Sequence, residues 1–380
     1  MALRFWSVAL AFHVGLILVS IAIGRCWLRR MPGVKRVAQW WGWLIGDACR
    51  FGAAALLLAV AAGVFAPWPP GAITRLLCQA LFGEAILLAA WIAALHFQCG
   101  WRARASLPGL LAILLTLVYV EAYHRCPYDL QVRRHPLDLS GGRADARTLR
   151  VLHLSDFQSH VIGAYQERAI RMAAQQRADL IVFTGDYLQG RLDSLSPQVA
   201  ADFRALLRHE ALRAPLGVYA VQGDVDSDWQ SLFAGLGVTC LVDDFARVTL
   251  PGRRSLVVIG LSAWLSRSRD PAALSRVIDA APSADLRVVI GHAPDFVDTR
   301  AGLRRIDLVL AGHTHGGQVV LPLLGPPLTL SRLPRRFAGG LNSFEGMPLH
   351  VSCGIGMERL SAPQIRFLCP PEICILELRY

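Results

Sequence analysis

The sequence predicts an α/β domain in its last three fifths, preceded by an all-α transmembrane region of about four helices. Apolar residue types make up 54% of the 380 residues and charged types only 18%, whereas soluble proteins carry about 25% charged residues. Long apolar runs occupy the first third of the chain, and short apolar runs alternate with helix-like segments after it. A disordered chain is excluded, because disorder requires low hydrophobicity.

Four apolar runs in the first third each have close to the roughly 20 residues that an α-helix needs to cross a bilayer. They are residues 5–24, 51–68, 76–97 and 107–123. Because further runs follow the first one, we interpret it as a span and not as a cleaved signal peptide. Residues 1–123 are therefore predicted to be a multi-pass anchor in the inner (cytoplasmic) membrane. Glu84, within the third run, has either a functional role or a polar contact between packed helices.

The basic residues between the runs predict the orientation of this anchor. Six lie between the first and second runs, one in the next segment and two in the third. Basic segments stay in the cytoplasm, so four spans would place the C-terminal domain outside it. Three arginines within residues 125–134 argue the other way.

The net charge of +11 belongs almost entirely to the first part of the chain. Residues 1–150 hold 16 Arg and Lys against 6 Asp and Glu, whereas residues 151–380 hold 23 against 22. A nucleic-acid-binding domain carries a basic patch on its folded surface. The balanced charge of the second part therefore predicts no nucleic-acid partner, and the bilayer is the partner that the first part indicates.

Residues 124–147 are predicted to be a polar connector, and residues 148–380 a single α/β domain. The strand candidates are short and apolar on both faces, which is typical of a sheet covered by helices. They are residues 149–154, 180–184, 218–222, 256–261, 287–290, 308–310, 350–353 and 374–378. The helix candidates are residues 165–176, 197–212, 228–236 and 271–280.

Five of these strands end in a carboxylate or an imidazole, in four cases with glycine directly before it. The side chains at these ends are Asp156, Asp186, Asp224, His292, and His313 with His315. The carboxyl ends of parallel strands form the edge at which α/β sheets bind ligands. Since Asp and His together are typical ligands of divalent transition metals, this edge is predicted to be a metal site.

The segments that carry this chemistry occur in a recognisable order: LHLSDFQS, IVFTGDY, YAVQGDVDS, VVIGHAPD, VLAGHTHGGQV and HVSCGIG. In this order the chain resembles the calcineurin-like metallophosphoesterases over about residues 148–380. It is most similar to their membrane-anchored bacterial branch, which includes extracytoplasmic phosphodiesterases and proteins similar to UDP-2,3-diacylglucosamine hydrolase of lipid A synthesis. The resemblance implies a four-layer αββα sandwich and a metal-dependent phosphohydrolase in which two ions activate a hydroxide.

The resemblance also implies a ligand set, carried over position by position. The first ion would have Asp156, Gln158, Asp186 and His315, and the second Asp186, Asp224, His292 and His313. Asp186 would bridge both ions and is the leading catalytic residue. The usual Asp-x-His is here Asp-Phe-Gln, which exchanges an imidazole for an oxygen and favours Mn²⁺, Fe²⁺ or Mg²⁺ over Zn²⁺. His160 is either a substitute ligand or a histidine of a surface loop.

The third motif departs from the family as well. The usual Gly-Asn-His-Asp is here Gly223-Asp224-Val225-Asp226. The family histidine contacts the phosphate and helps to protonate the leaving group, which valine cannot do. The exchange favours a phosphoanhydride or an activated ester, whose leaving group needs no proton donor. Asp226 is predicted to belong to the catalytic group by orienting a neighbouring backbone or ligand group. The alternative is a catalytically weak or inactive membrane scaffold that retains the fold.

Three arginines, Arg332, Arg335 and Arg336, follow the GHTHGG motif in a loop rich in Pro and Gly. They are either solvated or form a clamp for a phosphate or head group, since guanidinium groups match phosphate oxygens. Because the chain is anchored, we expect a lipid-linked substrate, either a UDP-2,3-diacylglucosamine-like anhydride or a phospholipid head group.

The remaining histidines and the last cysteine are predicted to be structural. His153 is interpreted as a hydrogen-bonded core residue or a residue behind the ligands, and His350 as a structural residue. His135 lies in the connector and is expected to be solvated, and Cys374 to be a core residue.

Overall fold

The computed structural model describes residues 85–98, 102–188, 197–358 and 362–380, together with Arg75, Cys78, Leu81 and Phe82. The chain divides into two compact units, Met1–Glu121 with Leu360–Pro363, and Ala122–Arg359 with Gln364–Tyr380. The first two apolar runs of the sequence and Glu84 lie outside the described residues.

The described part of the first unit is helical. Helix α1 comprises Ala85–Gln98 and helix α2 comprises Arg102–Val120. Helix α2 continues into a π turn and a 3₁₀ turn, so that one helical stretch, Ala105–Tyr128, is long and apolar enough to cross a membrane. Since the described residues contain one such stretch, the predicted total of four spans stays a prediction.

The second unit contains two six-stranded mixed sheets with helices. The strands are β1 (Gln131–Asp138), β2 (Thr148–Leu154), β3 (Leu180–Phe183), β4 (Val218–Ala220), β5 (Val238–Cys240), β6 (Asp244–Thr249), β7 (Ser255–Gly260), β8 (Leu286–Ile290), β9 (Leu308–Ala311), β10 (Gly340–Phe344), β11 (Met347–Val351) and β12 (Glu372–Arg379). The helices are α3 (Ala164–Ala174), α4 (Pro197–His209), α5 (Trp229–Phe233), α6 (Ala263–Arg267) and α7 (Pro271–Ala280).

The first sheet has the strand order β1-β12-β2-β3-β4-β5 and the second sheet the order β10-β11-β9-β8-β7-β6. In the first sheet β12 runs antiparallel to β2, and in the second sheet β10 pairs antiparallel with β11 and β6 with β7. The remaining pairs in both sheets are parallel. The all-apolar strands β3 and β9 are buried at every position, as the sequence predicts.

Three cores hold these layers together. An inner layer between the sheets takes side chains from both, for example Val182 of the first sheet and Val288 of the second. Helices α3, α4 and α5 cover the outer face of the first sheet, and α7 covers that of the second through Leu274 and Ile278. Each fully buried aliphatic side chain contributes about 1.5–3 kcal/mol. This arrangement of helices on two packed sheets is the one that the resemblance implies.

Helix α7 shows how local sequence sets an element boundary. The Asp270 carboxylate accepts hydrogen bonds from the N–H groups of Ala272 and Ala273, at 2.9 and 3.0 Å. Pro271 at the first helical position needs no such partner, because it has no N–H group. The helix therefore begins at the predicted residue.

Strand β1 lies in the segment that the sequence analysis assigns to the connector. It pairs in parallel with β12, from Gln131 opposite Glu372 to Asp138 opposite Arg379. Its arginines and Pro136 conceal the strand pattern in the sequence, and the pairing becomes visible only when β12, more than 230 residues later, lies alongside it. Pro136 is tolerated because β1 is an edge strand.

Candidate active site

The carboxyl ends of five strands bring all seven predicted ligands to one edge of the sandwich. The loops of the first sheet supply the oxygen ligands and those of the second sheet the imidazoles: Asp156 and Gln158 after β2, Asp186 after β3, Asp224 after β4, His292 after β8, and His313 and His315 after β9. Two groups of three residues can each hold a metal ion, because within each group the three ligand atoms lie within 4.8 Å of one another. One group is Asp156, Asp186 and His292, and the other is Asp224, His292 and His313.

The backbone at these loops is strained. Five of the seven predicted ligands adopt a left-handed φ: Asp156 (53°), Gln158 (38°), Asp186 (56°), His313 (71°) and His315 (49°). Such conformations cost about 1–3 kcal/mol each and persist where the surrounding structure imposes them. Clustering of this strain at one edge indicates a functional site.

Two glycines before the ligands permit a close approach of the loops. A Cβ atom on Gly312 would lie 2.0 Å from Ser155 Oγ, and one on Gly223 would lie 2.1 Å from the backbone nitrogen of Asp186. No side chain fits at these distances. The Gly-His and Gly-Asp pairs in the sequence are therefore explained by packing between the loops.

The predicted first ion site centres on Asp156 and Gln158. Both carboxylate oxygens of Asp156 accept from the backbone N–H of His313, at 3.0 and 3.1 Å, and Nε2 of His315 lies 3.6 Å from Asp156 Oδ1. The Gln158 amide nitrogen donates to Asp186 Oδ2 at 2.8 Å. This bond orients the amide and leaves its oxygen for another partner.

The predicted second ion site centres on His292 and His313. Each ring has one nitrogen against a backbone carbonyl: His292 Nδ1 lies 2.8 Å from Thr184 O, and His313 Nε2 lies 3.1 Å from Leu330 O. The other nitrogen of each faces Asp224, at 3.5 Å for His292 Nε2 and 3.4 Å for His313 Nδ1. Metal-binding histidines are usually held in this way, because the carbonyl selects the tautomer.

Several polar atoms of this cluster are buried and, within the described part of the chain, have no hydrogen-bond partner. They are Gln158 Oε1, His292 Nε2 and both ring nitrogens of His315. A buried polar atom without a partner costs about 1–3 kcal/mol. All belong to predicted ligands, and each of these side chains can offer a lone pair from one such atom when it is neutral, so the residues fit divalent cations.

The electrostatics of the cluster also fit cations. Burial raises the pKa of Asp156 to about 6, although His292 opposes the shift. Burial raises the pKa of Asp186 well above its usual value, and Asp224, Asp226 and Asp156 raise it further. Carboxylates that resist ionisation because they are buried together need a positive charge among them.

The imidazoles respond in opposite directions. Burial alone would lower the pKa of His292, but the carboxylates of Asp186, Asp224 and Asp156 outweigh it and raise the pKa well above its usual value. Burial lowers the pKa of His313 to about 4, and that of His315 well below its usual value, where Arg366 adds to the effect. In this cluster, His292 is therefore the imidazole whose protonated, positively charged form is favoured.

Asp226 and Val225 have different surroundings. The Asp226 carboxylate accepts from the backbone N–H groups of Asp186, Gly223 and Tyr187, at 2.7, 2.9 and 3.0 Å. It orients the loop that presents Asp186, and a direct part in the reaction stays a prediction. The Val225 N–H donates to Asp186 Oδ1 at 3.2 Å.

A comparison with known proteins agrees with this geometry. The family model described as calcineurin-like phosphoesterase matches residues 149–317. The uncharacterized metallophosphoesterase YkuE of Bacillus subtilis is 30% identical over 219 residues, which cover 54% of this chain and 69% of that protein. The chain belongs to the calcineurin-like metallophosphoesterases. It is a metal-dependent phosphoesterase of a family that uses a dinuclear metal centre, and candidate metal-binding residues are present.

Two relatives have names that state an activity. Phosphodiesterase YaeI of Escherichia coli is 27% identical over 268 residues, covering 67% of this chain and 91% of that protein. UDP-2,3-diacylglucosamine pyrophosphatase LpxG of Chlamydia trachomatis is 25% identical over 342 residues, covering 73% of this chain and 97% of that protein.

The three arginines predicted to bind substrate differ in what they contact. Arg332 donates to the carbonyl of Arg267 at 2.7 Å, and its backbone N–H donates to Asp295 at 2.6 Å. Arg335 is exposed, and the Arg336 guanidinium lies over the Phe337 ring. His160 is exposed as well.

Sequence reasoning missed two other arginines of this metallophosphoesterase. Arg267, at the end of α6, forms an ion pair with Asp224 at the site. Arg366 is fully buried and donates to the carbonyls of Cys353, Gly356 and Cys369, which holds the loop beside His315. The sequence contains no local signal for either arginine.

Proposed function

We propose that this metallophosphoesterase is membrane-anchored and hydrolyses a lipid-linked phosphodiester or phosphoanhydride. The substrate would resemble UDP-2,3-diacylglucosamine or carry a phospholipid head group. The observation that carries the proposal is an apolar surface at the rim of the metal site.

This surface is the leucine loop, residues 321–330. Its exposed side chains are Leu321, Leu323, Leu324, Leu328 and Leu330, and the side chain of Leu323 is fully exposed. The carbonyl of Leu330 contacts the ring of His313, so the apolar surface begins at a predicted metal ligand. Clustered exposed apolar side chains mark surfaces that bind an apolar partner, and acyl chains beside a phosphate group would provide one.

The relatives and the anchor support the same substrate class. LpxG is by name a pyrophosphatase of a diacylated nucleotide sugar, and YaeI is by name a phosphodiesterase. The apolar runs of the sequence and the apolar stretch Ala105–Tyr128 favour attachment to a bilayer. An anchored enzyme gains from its anchor when the substrate is confined to the same bilayer.

The side of the membrane separates the two substrates. The distribution of basic residues favours an extracytoplasmic domain, where a phospholipid head group or lipid phosphate is the expected substrate. A nucleotide-linked lipid precursor requires a cytoplasmic domain. A compartment-sensitive reporter fused after Tyr380 distinguishes these two cases.

The residues of the chain indicate how the reaction would proceed. Two divalent ions, when bound, supply Lewis acidity and lower the pKa of a coordinated water. Asp186 belongs to one ligand group and His292 to both; Asp186 would bridge the ions as the family resemblance implies, and Asp226 fixes the loop that presents it. Arg267, beside Asp224, is placed to meet a phosphate oxygen. Val225 has no proton to give, which favours a substrate with a good leaving group.

The donor set also bears on the metal. Four of the seven predicted ligands offer oxygen and three offer imidazole nitrogen, without any thiolate. Such a set favours Mn²⁺, Fe²⁺ or Mg²⁺ over Zn²⁺, and we propose Mn²⁺ as the ion for assays.

The test compares a lipid substrate with a soluble one. In the double variant Leu323→Ser/Leu324→Ser, kcat/KM for a UDP-diacylglucosamine-type anhydride or a phospholipid should fall by roughly 10-fold or more, because two leucine contacts are lost. Turnover of bis-p-nitrophenyl phosphate should not change. Val242→Ser, an exposed apolar side chain outside the leucine loop, is the matched control. Equal losses on both substrates would reject the role of the loop.

A further inference from the structure

A second group of metal-ligating side chains lies in the inner layer, apart from the active site. His135 of β1, His350 of β11 and Cys374 of β12 each place one ligand atom within 4.8 Å of the other two. We propose that these three residues form a separate zinc site, which goes beyond the proposed function and does not depend on it.

The two sheets bring the three side chains together. Strands β1 and β12 pair with Arg133 opposite Cys374, and His135, two residues further on, lies on the same face as Arg133. His350 comes from the second sheet. Its neighbours Leu349 and Val351 face the outer core, so His350 faces the inner layer, towards Cys374.

The polar atoms of this group are unusually poorly paired for a buried position. His350 is fully buried, and its Nδ1 lies 2.9 Å from His153 Nδ1. In the described part of the chain, its Nε2 and the Nε2 of His135 have no hydrogen-bond partner. The Glu372 carboxylate beside them is paired, because its Oε2 lies 3.3 Å from Arg133 Nε. Buried polar atoms are normally satisfied. A cation between the imidazoles and the thiolate would be a partner for the free nitrogens.

The donor types select the ion. Two imidazoles and one thiolate, with an open or carboxylate fourth position, are ligands typical of tetrahedral Zn²⁺. Glu372 Oε1 lies 3.9 Å from His350 Nε2, close enough to balance the charge of the ion together with the Cys374 thiolate. This set contrasts with the oxygen-rich active site, which has no cysteine among its predicted ligands.

The group lies towards one side of the sandwich. His135 is only partly buried and belongs to the edge strand β1. A zinc site needs an entry path as well as ligands, and the proposal places that path beside His135 at the edge of the sheet.

Zinc at this position would also fix the direction of a hydrogen-bond chain. With zinc on its Nε2, His350 keeps a proton on Nδ1 and donates it to His153, which then donates from Nε2 to Thr184 Oγ1 at 2.8 Å. Thr184 donates to Ser155 at 2.6 Å, and Ser155 donates to Asp156. The chain therefore joins the zinc site to a predicted ligand of the active site.

The experiment uses Co²⁺ as a coloured substitute for Zn²⁺ on the full chain, purified in detergent and stripped of metal. A cobalt–thiolate bond produces a charge-transfer absorption in the near ultraviolet that carboxylate and imidazole ligands do not produce. We expect the intensity of this band at saturating Co²⁺ to correspond to one cobalt–thiolate bond per chain. Cys374→Ser should abolish it, whereas Cys353→Ser, a buried cysteine outside the group, should retain it.

Two further variants keep the test decisive. His135→Ala, at a partly buried edge position, should weaken cobalt binding by roughly 100-fold while the protein stays folded, which covers the case that Cys374→Ser does not fold. Asp186→Asn should lose turnover and retain the band, which separates this site from the proposed function. The proposal is wrong if the wild type shows no thiolate band at saturating Co²⁺, or if the band persists in folded Cys374→Ser or at full affinity in His135→Ala.

Discussion

The two sheets of the catalytic unit contribute different chemistry to one site. Every predicted oxygen ligand follows a strand of the first sheet, and every predicted imidazole ligand follows a strand of the second. Each ion of a dinuclear centre would then contact both sheets. The comparison shows that the site exists only where the sheets are packed together, and that neither half is a metal site by itself.

The two halves also hold each other in place. His292 of the second sheet contacts the carbonyl of Thr184 in the first, and the carboxylate of Asp156 in the first sheet accepts from the backbone of His313 in the second. Backbone N–H groups thus position the oxygen half, and backbone carbonyls position the nitrogen half. This division suits the charge of each ligand type, since N–H groups stabilise carboxylates and carbonyls stabilise N–H-bearing imidazoles.

Replacing the carboxylate of Asp186, the predicted bridging ligand, should have the largest effect on activity. In Asp186→Asn we expect turnover of bis-p-nitrophenyl phosphate to fall by about 10³-fold, comparable with the loss of a principal electrostatic group in other active sites. At least one of two bound ions should also be lost. Steady-state kinetics and elemental analysis of the purified protein measure both quantities.

The control for this variant is Asp298→Asn, an exposed aspartate away from the site, which should behave as the wild type. Near-normal turnover of Asp186→Asn with two ions bound would reject the bridging role and the dinuclear assignment of these residues.

Separate substitutions in the nitrogen half should distinguish the two ions. His313 Nδ1 lies by Asp224 and His315 Nε2 by Asp156. His313→Ala should therefore empty mainly the second ion site and His315→Ala mainly the first, each with a loss of activity of roughly 10²-fold. Metal titration monitored by calorimetry resolves the sites. Full metal content in both variants would make the GHTHGG segment a structural turn.

Adding an imidazole to the oxygen half should sharpen the comparison. Val225 stands where the family has a proton donor, so the native protein should cleave p-nitrophenyl diesters and anhydrides far faster than alkyl diesters. Val225→His should raise alkyl-diester turnover by roughly 10²-fold, the usual contribution of a positioned acid. Val225→Asn, polar but without a suitable proton, is the control. Equal native rates on good and poor leaving groups would show that another residue supplies the proton. No turnover on any phosphate compound, with both ions bound, would favour a scaffold.

The oxygen and nitrogen ligands could be predicted because each of them follows a short signal in the local sequence. A buried apolar strand followed by Gly-Asp or Gly-His is visible within a short window, as at Asp186 and His292. Strand β1 was not predicted, because its own residues show no strand pattern and only its pairing with β12 makes it a strand. Arg267 was missed for a related reason: its partner Asp224 is 43 residues away, and an arginine at a helix end is unremarkable by itself.

The inner-layer cluster shows the same limit more clearly. In the sequence, His135 was expected to be solvated, but in the structure it is partly buried and its ring lies 5.2 Å from that of His350. Cys374 is buried as predicted. No local sequence pattern could indicate that residues 135, 350 and 374 lie next to one another, since only the packing of the two sheets brings them together.

The smallest expected effect is on the stability of the metal-free protein and concerns the proton on His292. It tests whether the imidazoles of the second sheet differ in protonation. Three carboxylates hold the pKa of His292 above its usual value, which favours an imidazolium there in the metal-free protein, whereas burial lowers the pKa of His313 to about 4. A raised folded pKa stabilises the protein fully below the unfolded value, about 6.5, and this contribution is lost as the pH rises through the folded value. The melting temperature of the metal-free wild type, relative to His292→Gln, should therefore fall as the pH rises above about 6.5 and through the raised pKa of His292.

The same proton should make metal affinity depend on pH in the opposite direction from stability. A divalent ion must displace it from His292, so affinity should rise with pH, by at most about 10-fold per unit for one proton. Calorimetry in two buffers of different ionisation enthalpy should detect about one proton released from His292 by the ion of the second site at pH 7. The release should vanish in His292→Gln and persist in His313→Ala, because His313 has no proton to release above about pH 5. His209→Gln, at an exposed histidine, is the control. If the release disappears in His313→Ala instead, the carboxylates of the first sheet hold the proton on His313 and not on His292, and the assignment of the protonated imidazole is wrong.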